Sequence, residues 1–145
     1  MLKGISRLFT GDLLKALYDM GHGDKVAIVD ANFPAYATGK RVLSFHGSSA
    51  TEILEAILPV FPLDHIESEP VLLMDMTQED RALMDEPHIW KEFSDIVHKE
   101  YGKDRKVGKL SREDFYRISR ECFLIIQSGE ERLYGNIILV KGVVK

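Results

Sequence analysis

Short apolar runs alternate along this chain with segments whose apolar residues recur at helical spacing, and that alternation limits the fold more than any other feature. Residues 25–29, built on Val26-Ala27-Ile28-Val29, are short and rich in branched side chains, as a buried strand is. Val71 to Met76, Phe123 to Gln127 and Asn136 to Val140 read the same way, and Arg41 to Phe45 is a further strand candidate between Gly39 and Gly47. The first helix is expected over Thr10 to Met20, with Thr10 as N-cap, an apolar face of Leu13, Leu14, Leu17 and Tyr18, and Gly21 as its C-cap. A second runs from Ser49 to Leu58, where Ser49 and Glu52 form a capping box and Pro59 closes the helix. A third covers Pro87 to Tyr101, with Trp90, Phe93, Ile96 and Val97 on one face. A fourth starts at Ser111 and carries Phe115, Ile118 and Cys122. Pro34 should end regular structure after Asp30, residues 77–86 should be loop, and Gly102 to Lys106 a charged connector.

Alternating strands and helices of this kind argue for α/β architecture, a single domain over residues 1–145 with helices packed on the faces of a sheet. The last two strands follow each other through the short polar turn Gly129-Glu130-Glu131-Arg132, so the sheet should be mixed. No internal repeat or linker interrupts the chain. Its 145 residues suffice for one substantial core. A net charge of -4 argues against non-specific nucleic-acid binding. No apolar run approaches the roughly 20 residues that span a bilayer, and the N-terminal segment lacks a signal peptide's apolar stretch. Cys122 is the single cysteine, which excludes an internal disulfide and suits the cytoplasm. Its apolar neighbours mark it as a buried small residue rather than a nucleophile.

A few polar residues stand out against this background. His22 lies between glycines in Met20-Gly21-His22-Gly23-Asp24, directly before the first strand. Such a residue is either a proton-transfer group titrating near neutral pH or a polar turn residue capping the preceding helix. Asp30 follows the same strand, at the end where ligands bind in open α/β sheets, although Asp-Ala-Asn-Phe-Pro is also good turn chemistry. Arg112 falls in the first turn of the fourth helix, where a cation gains nothing from the helix dipole. It is a hydroxyl or carboxylate reader, or a solvated surface residue. Tyr134-Gly135-Asn136 precedes the last strand and offers a hydroxyl and an amide that both donate and accept, as sugar hydroxyls require. The plainer reading is a turn before an edge strand. The remaining histidines, His46, His65, His88 and His98, show no metal-site spacing, so no metal is expected. Neither a phosphate-binding glycine loop nor a Gly-x-Ser-x-Gly elbow occurs.

Together these segments resemble the L-fucose mutarotase family, a sister of the D-ribose pyranases. The matching pieces are Met1 to Ile5, Asp12 to Leu17, Met20 to Asp24, Asp30 to Ala35, Phe115-Tyr116, Gly129-Glu130 and Tyr134 to Gly142. They span nearly the whole chain in the family's order, and the Asn-Phe-Pro-Ala run favours the fucose branch. The resemblance implies the fold of these two families and interconversion of the α and β anomers of L-fucose or a related free monosaccharide. It implies His22 as proton donor and Asp30, Arg112, Tyr134, Gly135 and Asn136 as the sugar-binding set. It also implies a ring of subunits, often a decamer, with sites at or near subunit contacts.

The chemistry suits those residues. Ring opening removes a proton from the anomeric hydroxyl and delivers one to the ring oxygen, and closure reverses both. No electrons move, so no cofactor is required. His22 would serve one end, and Tyr134 or a bound water the other. Two departures bear on sugar preference: Ser44-Phe45-His46-Gly47 stands where the family often has Arg-Ala-Asp-Gly, and Tyr36 where some members have histidine. The alternatives are a D-ribose pyranase-type enzyme and a non-catalytic sugar-binding protein accessory to transport.

Overall fold

The computed structural model describes residues 1–145. The elements, in chain order, are α1 (Gly11–Asp19), β1 (Lys25–Val29), α2 (Ala35–Thr38), β2 (Val42–Phe45), α3 (Ala50–Ile57), β3 (Val71–Met74), α4 (Gln78–Leu83), α5 (His88–Tyr101), β4 (Val107–Leu110), α6 (Arg112–Glu121), β5 (Leu124–Ser128) and β6 (Ile137–Val140). The strands form one six-stranded sheet in the order β2-β5-β1-β6-β3-β4. β1, β5 and β2 pair in parallel, as do β3 and β4, while β6 runs antiparallel to both β1 and β3. β6 is therefore the one reversed strand in an otherwise parallel sheet.

Consecutive residues of β1, β5 and β6 are buried, so both faces of the sheet centre are covered. α3 and α5 pack against each other as one layer, and α2 and α6 as another. A single core joins Leu13, Ile28, Ile53, Phe93, Phe115 and Ile138, all with no exposed surface. No helix is long and apolar enough to cross a membrane.

The mixed α/β sheet agrees with the sequence reading, with several corrections. Residues 77–86 are not all loop: Thr77 accepts a hydrogen bond from the Asp80 N–H and caps α4. That helix buries none of its residues, so it left no apolar stripe to read. Pro34 does not end regular structure, because its fixed φ suits a helix start and α2 follows at once. β4 follows the charged connector as an edge strand, and its Val-Gly-Lys-Leu sequence is too short and too polar to announce a strand.

Gly21 is not the C-cap of α1. Met20 takes that place in an extended conformation, and Lys141 Nζ reaches across to the carbonyls of Leu17 and Met20, at 2.9 and 2.5 Å. A lysine distant in sequence thus satisfies the orphan carbonyls that a left-handed glycine usually helps to close. Finally, β5 and β6 are not neighbours despite their short connection, because β1 lies between them. The segment after Tyr134-Gly135-Asn136 is an interior strand, not an edge.

Candidate active site

One reversed strand decides which loops meet. The C-terminal ends of β1, β3 and β4 lie on one edge of the sheet, and because β6 is antiparallel its N-terminal end lies there too. Asp30, Arg112 and Tyr134-Gly135-Asn136 follow or precede those ends and so converge. The residues before β1 and β3 and after β6 gather at the opposite edge, among them His22, Asp64 and Lys141.

At the first edge a cavity of about 190 Å³ is lined by Asp30, Asp80, Arg112, Tyr116, Tyr134 and Asn136, with Phe33 and Met74 supplying apolar surface. This is smaller than the roughly 300–1,000 Å³ of drug-sized ligand sites and suits a small polar molecule. Asp30 and Asn136 bind each other reciprocally. The Asp30 N–H donates to Asn136 Oδ1 at 2.8 Å, and Asn136 Nδ2 donates to Asp30 Oδ2 at 3.0 Å. The Asn32 N–H holds the other carboxylate oxygen at 3.0 Å. Both residues are nearly enclosed, at 7% and 3% exposure, so their orientation is set before any ligand arrives. Burial raises the Asp30 carboxyl above its ordinary value, and the opposing bonds from Asn32, Asn136, Phe33 and Gly135 do not cancel that effect.

Tyr134 is the only non-glycine residue with positive φ, at 61°. A side chain there costs of order 1–2 kcal/mol, so something must hold it. Its hydroxyl donates to Asp80 and accepts from the Thr77 N–H, its carbonyl accepts from Trp90 Nε1 at 3.3 Å, and its ring meets Trp90 edge-on. Gly135 has no room for a side chain, since a Cβ would come within 2.8 Å of Glu130 Cγ. Glu130 is itself fixed by Arg132, which also pairs with Glu92 on α5. This network braces the turn that carries Tyr134.

Arg112 opens α6 behind the Ser111 cap and stands over the Tyr116 ring, one helical turn away, with 5.6 Å from its Cζ to the ring centroid. It makes no hydrogen bond to Asp30, whose carboxylate oxygens accept from the Asn32 N–H and from Asn136 Nδ2. Tyr116 in turn stacks on Phe33, with ring centroids 5.0 Å apart.

The structure does not bring His22 into this cavity. β1 separates it from Asp30 by five strand residues, roughly 16 Å at the usual rise. At its own edge His22 sits on a turn made by Asp24, whose carboxylate accepts the Gly21 N–H at 2.7 Å, and by Gly23 at φ 85°. Its side chain is 44% exposed, and Nε2 lies 3.0 Å from Asp64 Oδ1. Asp64 also accepts from the Ile66 and Glu67 N–H groups. Burial pushes its carboxyl upward, and these bonds together with His22 outweigh it, leaving the group below its ordinary value. The stability this contributes is present above the unfolded value near 3.8 and is lost as pH falls through the lower folded value. Asp64→Asn is expected to be less stable than wild type at pH 7 and indistinguishable from it once pH drops well below 3.8, as read by urea unfolding at several pH values.

Asp64, Asp80 and Tyr116 escaped the sequence reading. Tyr116 had a signal, since it lies four residues after Arg112 on one helix face. Asp64 is 42 positions from His22, and no local pattern links them. Cys122 is 1% exposed, and burial pushes its thiol up to about 12, so it is a structural residue.

Comparison with known proteins agrees with this architecture. The model of the RbsD / FucU transport protein family matches residues 3–144. The chain is 36% identical to an L-fucose mutarotase of Haemophilus influenzae over 99% of its own length and 97% of that protein. It is 35% identical to a human fucose mutarotase, covering 98% and 94% of the two chains. Its structure is similar to that of a Streptococcus pneumoniae fucose mutarotase in complex with L-fucose, with a TM-score of 0.92, 35% identity and coverage of 99% and 100%. Bacillus subtilis RbsD complexed with D-ribose shares the fold at a TM-score of 0.71 and 24% identity, over 100% of both chains. The chain belongs to the RbsD / FucU family.

Proposed function

We propose that this protein is a mutarotase that interconverts the α and β anomers of L-fucose, acting in the cytoplasm without a cofactor. The observation that carries the reading is the preorganised Asp30–Asn136 pair beside Tyr134 and Arg112 in a cavity of monosaccharide scale. Asp30 and Asn136 hold ring hydroxyls, Arg112 binds a further oxygen, and Gly135 keeps the backbone close to the sugar. Tyr134 meets the anomeric hydroxyl. The relatives named for fucose mutarotation favour L-fucose as the sugar.

The ring oxygen needs its own acid, and His22 has the right chemistry at the wrong edge. We assign that role to His22 of the partner subunit. Copies packed with the His22 edge of one against the cavity of the next complete every site. Repetition of such a heterologous contact closes into a ring, with ten subunits the number the family resemblance implies. Asp64 then orients the imidazole from behind.

Proton exchange NMR spectroscopy on L-fucose at anomeric equilibrium tests the proposal, with D-ribose in parallel. Added protein is expected to accelerate α/β exchange of L-fucose. Acceleration of D-ribose alone would make it a pyranase-type enzyme. Binding of either sugar without faster exchange would make it a sugar-binding protein.

A further inference from the structure

The hydrogen bonds of Tyr134 say more about its role than its position does. A phenol has one proton to give. Here that proton is directed to Asp80 Oδ2, and the oxygen also accepts the Thr77 N–H at 3.3 Å. Tyr134 therefore presents an acceptor, not a donor, to a molecule in the cavity. Asp80 lines the same cavity, and its backbone N–H is tied to Thr77 Oγ1 at 3.2 Å. It sits on α4, a helix that buries no side chain of its own. The fold gains little packing from this helix, yet the helix delivers one carboxylate to one hydroxyl.

We propose that Asp80 is the proton acceptor at the end of a relay through Tyr134, drawing the proton from the anomeric hydroxyl as the sugar ring opens. The inference rests on the mutarotase reading and assigns its base. As the anomeric O–H bond breaks, its proton passes to Tyr134 Oη, and the original phenolic proton passes to Asp80 Oδ2. The electron pair left on the anomeric oxygen forms the carbonyl, and the bond from the anomeric carbon to the ring oxygen breaks. The ring oxygen takes a proton from the acid, the role given above to His22. Closure on the other face runs every transfer backwards, so Asp80 and the acid both return to their starting states.

Asp80→Asn separates relay from positioning, because the amide oxygen still accepts the Tyr134 hydroxyl but cannot take up a proton. Exchange NMR across a range of L-fucose concentrations is expected to show kcat about a hundredfold lower with KM nearly unchanged. Asp80→Glu is expected to recover part of the rate, and added formate to rescue Asp80→Ala. The double variant Asp80→Asn, Tyr134→Phe should be no slower than Tyr134→Phe alone, since the two groups act as one unit. Thermal melting of each variant in parallel establishes that the fold is kept, as α4 contributes nothing to the core. A kcat for Asp80→Asn within a few-fold of wild type overturns the relay, and so does a loss confined to KM. Wild-type protein that accelerates neither L-fucose nor D-ribose overturns the mutarotase reading and the relay with it, whereas an active wild type with an equally active Asp80→Asn overturns the relay alone.

Discussion

His22→Ala is expected to slow L-fucose anomer exchange by about 10²–10⁴-fold, the usual worth of a positioned acid or base, while the protein stays folded with a modestly lower melting temperature, because Asp64 loses one of its partners. The imidazole is 44% exposed and makes one side-chain hydrogen bond, to Asp64, so its removal opens no core cavity. The residues that line the cavity are untouched, and KM should change little. The placement of His22 and Asp30 at opposite edges of the sheet sharpens the test. Asp30→Asn is also expected to be inactive, because it strips a fixed carboxylate from the cavity. When equal amounts of the two inactive variants are mixed and allowed to exchange subunits, activity returns. At a site shared by two copies, about a quarter of all sites then pair an intact His22 with an intact Asp30. A site confined to one chain would regain nothing, because no chain in the mixture carries both residues.

Phe115→Ala is expected to cost about 3–5 kcal/mol, the range for removing a fully buried aromatic side chain. Phe115 is a fully buried residue of α6 and meets Phe33 edge-on, with ring centroids 6.0 Å apart. For a domain of this size the loss lowers the melting temperature by roughly 10 °C. It should also raise KM for the sugar, since Phe33 lines the cavity and stacks on Tyr116. Phe93→Ala is the matched control. Phe93 is equally buried, but on α5 and away from the cavity. Its loss should match that of Phe115 in thermal unfolding while leaving KM unchanged. Equal KM values for the two variants would show that Phe33 needs no support from Phe115.

What could be read before the structure follows the physics of each element. Strands such as Val26 to Val29 and the capped helices at Thr10, Ser49 and Ser111 declare themselves through local sequence. α4 and β4 do not, because neither contributes an apolar pattern to the core. Asp30, Tyr134 and Asn136 were legible as candidates since each flanks an apolar run. Their meeting was not, because it depends on β6 entering the sheet in reverse between β1 and β3. The separation of His22 from Asp30 was in plain view, at the two ends of one strand. The partners that give these residues meaning, Asp64 for His22 and Asp80 for Tyr134, are long-range contacts with no local signal. Arg112 is legible as an oddity of its helix, a cation in the first turn of α6, and it lines the cavity.

The reversed strand also holds the two halves of the sheet together. β6 is the last strand in sequence, yet it occupies the middle of the sheet. Without it, β1 with its parallel partners and β3 with β4 would be two half-sheets, each with a bare edge where β6 belongs. Such edges are templates for pairing with other chains. The closing strand, Ile137-Ile138-Leu139-Val140, joins both halves at once. The same strand brings Tyr134 and Asn136 to Asp30, so the sheet and the cavity are closed by one pairing.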